Sequence, residues 1–178
     1  MSKKIQRINI LLTGFMGTGK STVGLILSEI LSKEFVDTDQ VIEGLYGPIP
    51  EIFAKEGEDV FRHREREVSQ QLAERENLVI ATGGKLLLDP VNAETLSANG
   101  RIFCLRTPLE EIIKRLREEE NLVQRPLLDS KNFEEHIEEL FKARERAYRA
   151  FEQVDTAGRS PSEIAKEIGN RILSTDDS

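Results

Sequence analysis

Residues 14–22 read GFMGTGKST and follow directly on the apolar run Ile8-Asn9-Ile10-Leu11-Leu12. The stretch matches G-x-x-x-x-G-K-[ST] where that pattern binds phosphate, between an expected strand and an expected helix. Glycines at 14, 17 and 19 allow a tight wrap with amide N–H groups turned inward toward phosphate oxygens. The nucleotide-binding set read from this loop is Gly17, Thr18, Gly19, Lys20, Ser21 and Thr22. Lys20 can reach the β- and γ-phosphates, the Ser21 hydroxyl can ligate Mg²⁺, and the next helix points its positive dipole end at the anion. The loop is a nucleotide site.

Working outward, short apolar runs alternate with longer helical patterns, the signature of parallel βαβ units and an α/β fold. Strands are expected at 7–13, 35–37, 78–81, 101–105 and 153–156. Helices are expected at 20–33, 58–75, near 90–98, from Pro108 to about Glu119, at 132–151 and from Pro161 to Leu173. A Gly-Pro-Ile-Pro turn at 47–50 precedes a further helix containing Ile52 and Phe53. Residues 121–132 are polar, basic around Arg125, and lack periodicity. A loop of that length inside a compact domain is usually functional, and here it is expected to be a lid. No linker or repeat divides the 178 residues, so one domain is expected.

The chain carries a net charge of −7 with 38% hydrophobic residues, which argues against an unspecific nucleic-acid or acidic-membrane partner. An anionic ligand must be held by local cations working against the global field. The single cysteine, Cys104, excludes an internal disulfide and suits a reducing, cytoplasmic setting. Its apolar surroundings predict an inert buried thiol. No apolar run approaches membrane-spanning length and no signal peptide is expected.

Two helices carry charges where their patterns call for apolar residues. In the 58–75 helix the inward stripe is Phe61, Glu65, Val68 and Leu72, with Arg62 three residues before Glu65. In the 132–151 helix it is Phe133, Ile137, Leu140, Arg144, Tyr148 and Phe151. A charge on a buried helix face is paired or meets a ligand. An internal network of Arg144, Glu65 and Arg62 is one solution. The other is a carboxylate-bearing substrate, which uses the cationic capacity left when two arginines share one glutamate.

Asp37-Thr38-Asp39 ends the second strand at its carboxyl end, where open α/β sheets line their ligand crevice. Asp37 can hold Mg²⁺ directly or through water. Asp39 can accept the proton of an acceptor hydroxyl and align its oxygen with the γ-phosphate. A helix N-cap is the structural alternative for the pair. Thr82-Gly83-Gly84 follows another strand, and its glycines let a ligand approach backbone N–H groups. Arg125 on the expected lid can neutralise charge developing in transfer.

In this order the parts resemble the shikimate kinase family, a P-loop family of the nucleoside-monophosphate-kinase-like fold. The resemblance covers essentially the whole chain through GFMGTGKST at 14–22, DTD at 37–39, IPEIFAKEGEDVFRHRE at 49–65, ATGG at 81–84, RPLL at 125–128 and RERAY at 144–148. It implies a three-layer fold with five parallel strands in the order 2-3-1-4-5, helices on both faces and a lid. It also implies ATP- and Mg²⁺-dependent phosphorylation of the 3-hydroxyl of shikimate, in chorismate and aromatic amino-acid biosynthesis; a monomer is expected, although the sequence does not fix oligomeric state. Asp39, Arg62, Gly84 and Arg144 then stand at shikimate-binding positions. Lys20, Asp39 and Arg125 are the catalytic set, Ser21 and Asp37 the magnesium positions, and Arg125 and Arg159 join the nucleotide site. Glu65 stands where the family has a carboxylate orienting the arginines.

Two departures stand out. The family usually has three glycines after the third strand, and here the third position is Lys85. An ammonium there can pair with Asp or Glu, add to carboxylate binding, or change which acid is accepted. The segment between Arg115 and Arg125 is longer and more acidic than usual, which leaves both Arg115 and Arg117 open as the arginine beneath the adenine. Two other readings remain at this level: a kinase of another hydroxylated acid such as a sugar acid, and a nucleotide-binding module without transfer activity.

Overall fold

The computed structural model describes residues 7–118 and 133–174. Five strands form one sheet: β1 (Asn9–Thr13), β2 (Glu34–Asp37), β3 (Leu78–Ala81), β4 (Gly100–Arg106) and β5 (Glu152–Asp155). Their order is β2-β3-β1-β4-β5 and every pairing is parallel, as the resemblance implied. β1 is central, with Leu11 opposite Ile80 on one side and Ile102 on the other.

Every residue of β1 is buried, and its alternate side chains feed two different cores. Ile10 and Leu12 join Val23, Leu27 and Leu31 of α1 (Lys20–Leu31) and Ile164, Ile168 and Ile172 of α8 (Pro161–Leu173). Leu11 points the other way, into the core shared by α2 (Thr38–Tyr46), α3 (Ile49–Glu56), α4 (Glu58–Ala73) and α5 (Pro90–Ser97). A third cluster joins Phe15 and Cys104 to α6 (Leu109–Glu118) and α7 (Phe133–Tyr148). Helices therefore cover both sheet faces, which is the three-layer arrangement expected. Burial raises the Cys104 thiol to about 11, in keeping with an inert group.

The ends of these helices follow from local chemistry. α8 starts with a capping box between Ser160 and Glu163 and has Pro161 in its first turn. α5 is capped by Asp89, whose carboxylate accepts from the Val91 N–H. α1 stops where Ser32 turns left-handed at φ 52.

Helix α2 is the element the sequence reading missed. Its apolar positions Val41, Ile42, Leu45 and Tyr46 span little more than one turn, and its start is marked by the Asp37 side chain accepting from the Asp39 and Gln40 N–H groups. The turn expected over 47–50 is confined to Gly47 and Pro48, because Pro50 lies in the first turn of α3, where no N–H is needed. A short 3₁₀ turn at Leu86–Leu88 was also not anticipated. The lid expected over 121–132, with Arg125, lies outside the described residues.

The α1–α8 layer seats the helix that begins at the phosphate loop. Leu27 is fully buried in it. Leu27→Ala is expected to cost about 2–5 kcal/mol of unfolding free energy in urea titration, from lost burial plus the cavity left behind.

Candidate active site

The loop between β1 and α1 wraps as its glycines permit. Gly14, Gly17 and Gly19 have φ of 133°, 76° and 86°, a region that favours glycine. At Gly14 a Cβ would also lie 2.6 Å from the Leu105 carbonyl oxygen, so the loop is pressed against the end of β4. Inside the turn, the Thr18 hydroxyl donates to the Phe15 carbonyl at 2.8 Å. Lys20 Nζ donates to the carbonyls of Gly14 and Phe15, each at 3.0 Å. Gly19 caps α1 without any side-chain acceptor, which leaves the helix N–H groups turned to the cleft.

The other carboxyl-end turns meet this loop. Thr82 sends both its N–H (3.0 Å) and its hydroxyl (3.1 Å) to the Leu12 carbonyl. The Gly83 N–H donates to the Thr38 hydroxyl at 2.9 Å, tying the turn after β3 to the start of α2. A Cβ at Gly83 would lie 2.6 Å from Asp39 Oδ1, so the absence of a side chain lets Asp39 occupy its position. The Gly84 carbonyl accepts from the Tyr148 hydroxyl of α7. Burial keeps that phenol protonated far above its usual range.

Asp37 is the helix cap that was the structural alternative for it, and its second carboxylate oxygen meets Ser21. Its Oδ1 caps α2 and its Oδ2 accepts from the Ser21 hydroxyl at 2.6 Å. A hydroxyl and a carboxylate side by side, next to a phosphate loop, suit a hard oxygen-seeking cation that keeps water and phosphate as its other ligands. Among the described residues no group of three or more His, Cys, Asp or Glu offers a metal cage. The hydroxyl–carboxylate pair of Ser21 and Asp37 fits Mg²⁺ carried with a nucleotide.

On α4 the charged stripe resolves into a chain of ion pairs. Arg62 Nη1 donates to Glu65 Oε2 at 2.6 Å, while its Nε and Nη2 donate to Glu58 Oε1 at 3.1 and 2.9 Å. Lys85 Nζ donates to that same Glu58 oxygen at 2.9 Å, so its ammonium pairs with Glu, one of the options open from sequence. Arg144 is different: no described carboxylate forms an ion pair with it, and its guanidinium lies 5.7 Å from the Phe15 ring centroid. The internal-network alternative thus holds for Arg62 and Glu65 and leaves Arg144 out.

A cleft of about 1420 Å³ opens among these turns. Its lining includes every described residue named from sequence: the loop 17–22, Asp37, Asp39, Arg62, Gly84, Arg144 and Arg159. Arg159 sits at its edge, held by the Asp155 carbonyl at 2.9 Å and by Glu167 at 2.5 Å. Of the two arginines left open, Arg115 lines the cleft and donates to the Gly17 carbonyl at 3.3 Å. Arg117 instead pairs with Glu134 on the exposed side of α7. Glu58 was not singled out from sequence, although its i,i+4 spacing to Arg62 was a usable signal.

Glu65 is only 2% exposed, and burial raises its pKa, with Arg62 opposing and Asp39 adding to the rise. In the unfolded chain the group ionises near its ordinary value of 4.5, earlier than in the fold. From there upward the folded state holds the extra proton, so this residue's contribution to stability declines as pH rises through the window up to its folded pKa. Glu65→Gln removes that slope. Urea titrations from pH 4 upward are expected to show the variant gaining on the parent with increasing pH.

The sequence profile of the family described as shikimate kinase matches residues 16–173. A shikimate kinase of Thermodesulfovibrio yellowstonii is 44% identical over 90% of this chain and 92% of its own length. One of Persephonella marina is 43% identical over 92% of this chain and 98% of its own. Among solved structures, shikimate kinase from Acinetobacter baumannii in complex with shikimate superposes with a TM-score of 0.87 at 40% identity, covering 95% of this chain and 94% of that one. With its phosphate loop, sheet order and sequence all in agreement, the chain belongs to the shikimate kinase family.

Proposed function

We propose that this chain transfers the γ-phosphoryl group of ATP to the 3-hydroxyl of shikimate, giving shikimate 3-phosphate. The observation that carries the reading is the cleft itself, where Arg144, without an ion pair to any described carboxylate, and Asp39 open beside the phosphate loop. A cation next to a nucleotide cradle suits an acidic acceptor, and the relative solved with shikimate supports that acid in particular. In this reading the whole chain acts as one catalytic domain.

Each residue then has a task. The loop 17–22 and the open N-terminus of α1 hold the triphosphate, with Lys20 leaving the Gly14 and Phe15 carbonyls for phosphate oxygens. Ser21 and Asp37 would hold Mg²⁺, which would supply charge neutralisation for the phosphates. Arg62, oriented by Glu65, and Arg144 grip the shikimate carboxylate, while Gly84 lets the ring approach the turn after β3. Asp39 accepts the proton of the 3-hydroxyl as its oxygen bonds to the γ-phosphorus and the β–γ bridging bond breaks, releasing ADP. Arg115, on the Gly17 carbonyl, takes the adenine-side position in preference to Arg117, and Arg159 stands with it beside the adenine, since Glu111 accepts from both Arg115 and the Gly158 N–H.

A coupled assay with ATP and Mg²⁺ is expected to show turnover of shikimate and little of gluconate. Turnover of gluconate alone, or ATP binding with no transfer to either acid, would overturn the assignment. Lys20→Ala is expected to lower kcat by about a hundredfold or more, the usual scale for losing a charge aimed at a transition state. Arg144→Ala is expected to raise the KM for shikimate by about tenfold or more while leaving the KM for ATP within twofold, as loss of a charge-assisted pair predicts.

A further inference from the structure

Glu58 Oε1 accepts three hydrogen bonds, from Arg62 Nε at 3.1 Å, Arg62 Nη2 at 2.9 Å and Lys85 Nζ at 2.9 Å. Nε and Nη2 form one edge of the guanidinium fork, the geometry that suits a carboxylate. We propose that Glu58 is an internal stand-in for the substrate carboxylate on Arg62, and that Lys85 draws it aside when the acid enters. The proposal rests on the assignment of an acidic acceptor to this cleft.

The two carboxylates on Arg62 are not equivalent. Glu65 is buried, its side chain 2% exposed, and moving it would strand a charge in the protein interior. Glu58 and Lys85 are 50% and 46% exposed at the side chain, so Glu58 can swing with its charge still solvated. Only Glu58 can yield its place at modest cost.

Charge counting says why Lys85 matters. Arg62 between Glu58 and Glu65 is already more than neutralised, and an entering carboxylate would be a third negative group on one cation. With Lys85 present, Glu58 leaves the fork without becoming an unpaired anion beside the guest. The attraction is consistent with Glu58 being held below the ordinary glutamate range, first by Lys85 and then by Arg62. Lys85 is well placed for this, because its carbonyl accepts from the Leu88 N–H at 3.0 Å and the preceding carbonyl, of Gly84, accepts from Tyr148. Lys85 stands where the family usually has a third glycine, so the exchange is a property of this chain.

Lys85 is thus a positioning residue that acts through Glu58, and the test is a double-mutant cycle of the full chain. Wild type, Lys85→Ala, Glu58→Gln and the double variant are compared for kcat and for KM toward shikimate and ATP at low salt. Lys85→Ala is expected to raise the shikimate KM by about two- to fivefold, the range for a partly exposed ion pair. Glu58→Gln should lower that KM by a similar factor, and the double variant should match Glu58→Gln. In all four, kcat and the ATP KM stay within twofold. A rise caused by Lys85→Ala in both backgrounds would mean that Lys85 touches the substrate itself, and overturns the exchange. A KM raised by Glu58→Gln would mean that Glu58 only holds Arg62 in place, and overturns it too. Wild-type turnover reports separately on the assigned reaction. Calorimetric shikimate affinities of the same four proteins read the exchange with no transfer step involved.

Discussion

The Leu12 carbonyl, at the end of the central strand, accepts both the N–H and the hydroxyl of Thr82. That double contact fixes the turn after β3 against the root of the phosphate loop. Because every pairing in the sheet is parallel, all carboxyl ends open on the same edge, and β1 lies at the centre of that edge. The nucleotide loop, the Asp37–Asp39 corner and the Gly83–Lys85 turn are therefore neighbours by topology. The bulky apolar residues of β1, packed on both faces, hold the strand in place.

Within that frame, buried charge is used sparingly and asymmetrically. Glu65 is the fixed member: it lies between Arg62 and Asp39, and burial pushes it toward the protonated form that Arg62 opposes. A hydrophobic residue there would cost less to bury. What it would lose is the orientation of Arg62, whose guanidinium is held by ion pairs with Glu58 and Glu65 on α4 itself. Arg144 lies over the Phe15 ring beside Tyr148 and has no ion pair with a described carboxylate. These two arginines of the cleft thus have different charge environments among the described residues, one paired with carboxylates and one not.

How much of this was legible in the sequence depends on the range of the interaction. The phosphate loop was legible because glycine, lysine and serine spacing is local, and φ at Gly14, Gly17 and Gly19 follows from it. The Arg62–Glu65 pair was legible because both sit on one helix at i,i+3. Helix α2 was missed because its start rests on a side chain, Asp37, that also reads as a ligand. Sheet order came from the resemblance, since pairings such as Leu11 with Ile80 join residues remote in the chain. Which of Arg115 and Arg117 faces the cleft depends on tertiary packing: the first reaches Gly17 and the second turns to α7. Glu58 escaped notice because an exposed glutamate in a first helical turn normally needs no explanation beyond the helix dipole.

That last convention exposes a regularity among the described helices. α2 and α5 begin with an aspartate cap, and α3, α4, α6, α7 and α8 carry Glu or Asp in the first turn. α1 alone has neither, and no side chain caps it. In a chain of net charge −7, a helix start without an acid stands out. Elsewhere the protein's own carboxylates complement the positive helix ends. At α1 no acid of the first turn supplies that complement, which suits an anion from outside, and Lys20 and the inward N–H groups of the loop add positive potential there. The electrostatics of the cleft thus begin with where acidic residues are withheld, as much as with where basic ones are placed.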